Sequence, residues 1–228
     1  MSGCLVCQTM IPIDITWANF LLPPVKRYLC QQCEERLELI GDVICEKCGR
    51  KMETRDFCSD CVTWNNHPDY KSVLKQNRAV FPYTPFMQEL VAQWKFRGDY
   101  QIIEVFRPYI LNEFQRYYRK MKATIVPIPL TEERLFERAF NQAEAIAKVL
   151  ELPIETVLTR KAKSSEKQSK KTKKERIHSE NPFILSKSLN SPVILVDDIY
   201  TTGMTIHHAA KLLADDGCSQ IHSFTLIR

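Results

Sequence analysis

Eight of the nine cysteines fall into four Cys-x-x-Cys pairs, Cys4/Cys7, Cys30/Cys33, Cys45/Cys48 and Cys58/Cys61, all within the first 61 residues. Repeated spacing of this kind, in a chain with no secretory leader, points to metal before disulfide. Zn²⁺ favours four thiolates in a tetrahedron, and each pair supplies two at the right bite, so four pairs fill one or two sites. The gaps suggest Cys4, Cys7, Cys30 and Cys33 at one ion and Cys45, Cys48, Cys58 and Cys61 at another; a cross-braced pairing is also compatible with the spacing. Gly49, directly after Cys48, suits a tight zinc knuckle. No pair shows the three-ligand pattern of a catalytic zinc, so the predicted role is structural. The ninth cysteine, Cys218, reads as a small buried hydrophobe.

The second constellation is Val193-Ile194-Leu195-Val196-Asp197-Asp198-Ile199-Tyr200-Thr201-Thr202-Gly203-Met204-Thr205. Four aliphatics without alternation predict a strand buried on both faces. It delivers Asp197 and Asp198 to the carboxyl edge of a sheet, where α/β proteins bind ligands. Gly203 allows close approach of the backbone. Free N–H groups at the start of the next helix, with the hydroxyls of Thr201, Thr202 and Thr205, suit a phosphate dianion. The two acids can accept from vicinal ribose hydroxyls or help hold a hydrated Mg²⁺. Without a ligand, the same residues would be a strand, a polar turn and a helix.

These residues must be positioned by an α/β body. Short strands at Ala79–Tyr83, Thr124–Pro127, Pro192–Asp197 and Ile221–Ile227 alternate with helical periodicity at Pro85–Phe96, Tyr100–Tyr118, Asn141–Leu150 and Thr205–Asp216. That alternation predicts a doubly wound, mainly parallel sheet. The cysteine-rich stretch is too small to fold without a staple. The predicted division is therefore a zinc-ribbon-like domain at 1–68 and an α/β domain at 69–228.

With 228 residues, 44% hydrophobic and 26% charged, the chain reads as a soluble globular protein. No apolar run approaches the roughly 18 residues of a membrane span, and the cytoplasm is the default location. The net charge of +5 is unevenly spread. Residues 160–178 carry nine basic groups against two acids, a local +7 that leaves −2 elsewhere. The almost hydrophobe-free segment 160–180 reads as a mobile loop whose Lys163, Lys167, Lys170, Lys171, Lys173, Lys174 and Arg176 attract phosphates with little sequence preference. It carries no aromatic rings for base stacking. The alternative is a solvated loop.

The Val193–Thr205 segment resembles the phosphoribosyl pyrophosphate signature of type I phosphoribosyltransferases. Val126-Pro127-Ile128-Pro129 with Arg134, Arg138 and Ala139-Phe140-Asn141-Gln142 resembles a segment of the ComF family, as do Lys95-Phe96-Arg97-Gly98-Asp99 and the spacing Arg160…Gln168…Arg176…Phe183. Ala139 stands where that family has glycine, Lys171 where leucine is common, and Ser179 where asparagine is common. The resemblance implies a cysteine-rich head on a type I phosphoribosyltransferase-like body, acting in bacterial competence and DNA uptake. It implies that Arg134 and Arg138 face a diphosphate; otherwise they sit on a solvated helix face with Glu132, Glu133 and Glu137. Single-stranded DNA, a phosphoribosyl pyrophosphate-like molecule and a competence helicase are the implied partners. Met204 completes the implied phosphate loop. The alternative is an active transferase with an unknown acceptor, in which Asp197 and Asp198 are catalytic and pyrophosphate leaves. Any hood over the acceptor must come from residues 1–75.

Overall fold

The computed structural model describes residues 2–12, 26–96, 99–161 and 181–228. Its centre is a four-stranded, wholly parallel sheet in the order β3-β8-β7-β4, formed by β3 (Asn77–Phe81), β4 (Thr124–Pro127), β7 (Val193–Ile199) and β8 (Ile221–Ile227). Both faces are covered, which is why β7 shows no polar alternation. Ile194 and Val196 face one core with Phe224 and Leu226, closed by α3 (Pro85–Phe96), α4 (Ile102–Tyr118) and α6 (Gln142–Val149). Val193 and Leu195 face the other core, against Ile206, Ala209, Ala210 and Leu213 of α7 (Met204–Asp215). The fold is thus the expected α/β architecture with a cysteine-rich amino-terminal region.

Element boundaries moved for local reasons. The first sheet strand ends at Phe81 because Pro82 has no N–H for the ladder. Pro127 is tolerated within β4 because β4 is an edge strand. The helix expected from Tyr100 starts at Ile102 and carries Pro108 inside it. β7 runs two residues past the expected end, since Ile199 still pairs with Ile227. Cys218 is buried, as its type suggested.

Two short strands not foreseen from sequence, β5 (Leu158–Arg160) and β6 (Phe183–Leu185), pair antiparallel. They set Arg160 opposite Phe183. The intervening residues 162–180, including Lys163, Lys167, Gln168, Lys170, Lys171, Lys173, Lys174 and Arg176, lie outside the described residues, as do Arg97 and Gly98.

The cysteine-rich region holds a hairpin of β1 (Ser2–Gly3) and β2 (Met10–Ile11), then α1 (Gln31–Glu34) and α2 (Ser59–Asn66). It packs into both cores of the body: Cys4 and Cys33 join the core of α3 and α4, and the last four knuckle cysteines join that of α7.

Candidate functional site

The thiols gather in chain order. Cys4, Cys7, Cys30 and Cys33 form one tetrad, and Cys45, Cys48, Cys58 and Cys61 the other, each with its sulfurs within 4.8 Å of one another. A tetrahedral zinc with bonds of about 2.3 Å places sulfurs roughly 3.8 Å apart. The Cys7–Cys30 and Cys48–Cys58 sulfurs are 3.6 and 3.5 Å apart, so the donor geometry fits such an ion. In the second tetrad the Cys58 amide also donates to Cys45 Sγ at 3.3 Å. Gly49 adopts φ +73°, and a Cβ there would meet the Asn77 carbonyl at 3.2 Å, which explains glycine at this turn.

The loop between β7 and α7 is built by its carbonyls. Arg228 donates through Nη1 to the carbonyls of Tyr200, at 3.1 Å, and Thr201. Trp64 Nε1 donates to Thr202 O at 2.7 Å. The Gly203 carbonyl accepts from His207 through its backbone N–H at 2.8 Å and Nδ1 at 2.9 Å. In a trans peptide the C=O of one residue and the N–H of the next point in opposite directions. Four carbonyls held inward therefore turn the amides of Thr201, Thr202, Gly203 and Met204 outward. No side chain caps α7, so the amides of its first turn remain available. Successive outward N–H groups at a helix start make a nest for an anion. Gly203 has φ +83°, and a Cβ there would lie 2.2 Å from the Tyr200 hydroxyl; no other residue fits. Burial pushes His207 down to about 3, so it is neutral, with its Nδ1 proton on Gly203 O.

Upstream, Asp197 and Asp198 end the strand in a cationic setting. Lys95, in the last turn of α3, pairs with Asp198 at 2.5 Å. Burial, then the neighbouring charge of Asp198, pushes Asp197 up to about 8, against the pull of Lys95 and Arg160. Arg160 donates to Pro129 O at 2.8 Å, and burial lowers its pKa while Asp197 raises it. Sequence reasoning quoted Lys95 and Arg160 only within motifs and gave neither a role in the site.

The loop after β4 is held by Asn141, which donates to Ile128 O at 3.0 Å and accepts from the Ala143 amide at 3.0 Å, capping α6. Between them, α5 (Glu132–Arg138) carries both arginines. Arg134 is exposed in its first turn, close enough to act on the charge of Arg160. Arg138 instead turns to Gln142 Oε1, at 3.1 Å, and lies over the Phe96 ring at 5.8 Å. Ala139 takes φ +64°, a conformation that costs an L-residue about 1 kcal/mol and that glycine adopts freely.

A cleft of about 690 Å³ opens beside the β7–α7 loop. It is lined by Ile199, Tyr200, Thr201 and Thr202, with Arg50 and Lys51 of the cysteine-rich region and Arg228. The structure thus brings Asp197, Asp198, Lys95, Arg160 and the Thr201–Thr205 loop to one sheet edge, with Arg134 nearby.

The chain is similar to known proteins. Residues 137–228 match the family model described as the phosphoribosyl transferase domain. Competence protein ComFC of Bacillus subtilis is 41% identical over 99% of this chain and 94% of its own length. Competence protein ComFC of Streptococcus pneumoniae is 31% identical over 99% of both chains. Competence protein F of Haemophilus influenzae is 24% identical over 89% of this chain and 91% of its own.

Proposed function

The chain belongs to the ComF family of competence proteins, and from that premise we propose that it serves DNA uptake in the cytoplasm by holding a phosphorylated ribose and single-stranded DNA. The small ligand is of the phosphoribosyl pyrophosphate class. Its 5′-phosphate sits against the amides and hydroxyls of Thr201, Thr202, Gly203, Met204 and Thr205. Asp197 and Asp198 take the ribose hydroxyls, directly or through Mg²⁺, while Arg134, Arg138 and Lys95 balance the diphosphate. The observation that carries this reading is the set of four inward-bound carbonyls, which leaves the Thr201–Met204 amides facing out beside two carboxylates.

Single-stranded DNA is assigned to the basic segment containing Lys167, Lys170, Lys171, Lys173, Lys174 and Arg176. The described residues that flank it, Arg160 and Phe183, pair across β5 and β6, and Arg160 lies within the charge field of Asp197, which supports that assignment. Two structural zinc ions hold the region 1–68 against the body at 69–228, with the eight paired cysteines as ligands.

The cleft lined by Thr201, Thr202 and Arg50 supports a second reading, because it gives an acceptor a place next to the loop. In that reading the protein is an active phosphoribosyltransferase and pyrophosphate leaves. Little covalent help is needed: Asp197, Asp198 and a bound Mg²⁺ position and shield, and Lys95 and the arginines stabilise the departing charge.

The test combines thermal-shift titration with phosphoribosyl pyrophosphate and Mg²⁺, a pyrophosphate-release assay, and salt-dependent titration with a single-stranded oligonucleotide. Stabilisation by the small ligand and salt-sensitive DNA binding without turnover are expected. Pyrophosphate release on addition of nucleobases or DNA would favour the transferase. Absence of any small-ligand shift would remove the pocket.

A further inference from the structure

The second cysteine tetrad reaches the phosphate loop through two side chains. Arg228 spans them directly: Nη2 donates to Cys48 Sγ at 3.0 Å while Nη1 holds the carbonyls of Tyr200 and Thr201. Asp60, between the ligands Cys58 and Cys61, lies 3.6 Å from the same guanidinium and also pairs with Arg50. Arg228 is buried, so this fork has little freedom to rearrange. Trp64 makes the other link. It stands one turn beyond Cys61 on α2, donates to Thr202 O, and stacks on His207 with ring centroids 3.9 Å apart and planes 8° from parallel. His207 in turn holds Gly203 O. Every carbonyl from Tyr200 to Gly203 is thereby fixed, three by donors rooted at this tetrad and the fourth by a ring stacked on one of them.

The knuckle is also anchored to the sheet. The wholly buried Asn77 donates to Cys48 O at 2.9 Å and accepts from Ser223 Oγ at 2.8 Å. The tetrad, the end of the sheet and the loop form one packed unit, in which a shift of Cys48 or Cys58 moves the donors that orient the loop amides.

We propose that the metal held by Cys45, Cys48, Cys58 and Cys61 sets the anion-binding geometry of the phosphate loop, with Trp64 and Arg228 as positioning residues. The proposal rests on the phosphate-binding role of that loop for its functional meaning, but the mechanical coupling stands separately. Linkage makes it reciprocal: a phosphate ligand that needs outward amides must also raise the metal affinity of this tetrad. The first tetrad, packed against α3 and α4, has no such connection among the described residues.

The experiment uses the full chain. Hydrogen exchange is followed in the peptide spanning Tyr200–His207, with a peptide from Gln142–Val149 as control, before and after chelation of zinc. Trp64→Phe keeps an aromatic ring beside His207 and removes the N–H to Thr202 along with part of the ring area; Arg228→Lys keeps the charge and loses the fork. Both variants are expected to retain two zinc ions per chain, to exchange faster in the loop, and to bind phosphoribosyl pyrophosphate with Mg²⁺ about tenfold more weakly. Chelation should speed exchange in the loop of the parent protein while the control stays protected, and the ligand should raise the chelator concentration needed to strip the zinc. Unchanged loop exchange in Trp64→Phe and after chelation would overturn the coupling, as would equal loss of protection in the control peptide. If the parent binds no phosphate ligand, the proposed function fails, and the exchange data still decide the coupling.

Discussion

The Lys95 ammonium lies 2.5 Å from the Asp198 carboxylate, joining the end of α3 to the end of β7, two elements that meet at the mouth of the site. Both side chains are largely buried, so neither charge is well solvated alone. Removing one partner strands the other, at a cost of about 3 kcal/mol. Lys95→Met and Asp198→Asn should each destabilise the fold, and the double variant should cost less than their sum, with a coupling of roughly 1–3 kcal/mol. Urea unfolding of the four proteins checks this. If the proposed diphosphate ligand binds here, Lys95→Met should also weaken that binding, because a cation at the mouth of the site is lost.

Asp197 gives the site a pH dependence. Its folded-state pKa, near 8, lies above the ordinary carboxylate value of 3.8, mainly through burial. The folded protein therefore holds a proton that the unfolded chain has released across that interval. Stability from this group is present in full below about pH 4 and falls as pH rises toward 8. Asp197→Asn, which cannot ionise, should flatten that fall in urea titrations run between pH 5 and 8. A profile identical to the parent would place the proton elsewhere. Asp198, Lys95 and Arg160 are the charged groups acting on it.

Gly203 tolerates no side chain. Its positive φ and the Tyr200 hydroxyl 2.2 Å from a built Cβ act together, so Gly203→Ala should cost about 3 kcal/mol or more. Calorimetric melting would show the loss. Tyr200→Phe in the same chain should not rescue it, because the Tyr200 Cζ lies only 2.3 Å from that Cβ.

The site was partly legible in the sequence. Asp197, Asp198 and Thr201–Thr205 are contiguous, so a strand, a turn and a helix sufficed to place them. The tetrads were legible because each ligand pair is local. Arg228 and Trp64 were not: their contacts with the loop, and that of Arg228 with Cys48, span sequence separations of 27, 138 and 180 residues, and nothing in their neighbours marks them. Lys95 was visible only as part of a motif, since its role depends on α3 ending opposite β7. Nor did the sequence disclose that Arg138 donates to Gln142 Oε1, a contact that depends on how α5 meets α6. His207 likewise stands in no motif, yet it is buried and its ring nitrogen holds the loop.

For the basic segment, neutralising Lys170, Lys171, Lys173 and Lys174 together should lower affinity for single-stranded DNA and flatten its salt dependence. Each lost phosphate contact removes roughly 0.7 from the logarithmic slope, so up to about 3 is at stake. Fluorescence anisotropy at several salt concentrations measures it. An unchanged slope would take these lysines out of DNA binding.

The central claim is tested most directly by calorimetric titration of phosphoribosyl pyrophosphate with Mg²⁺ into the parent protein and into the Asp197→Ala/Asp198→Ala double variant, with zinc content measured in both. Saturable binding to the parent, no heat from the double variant and equal zinc in the two are the predicted result. Equal binding by both proteins would contradict it.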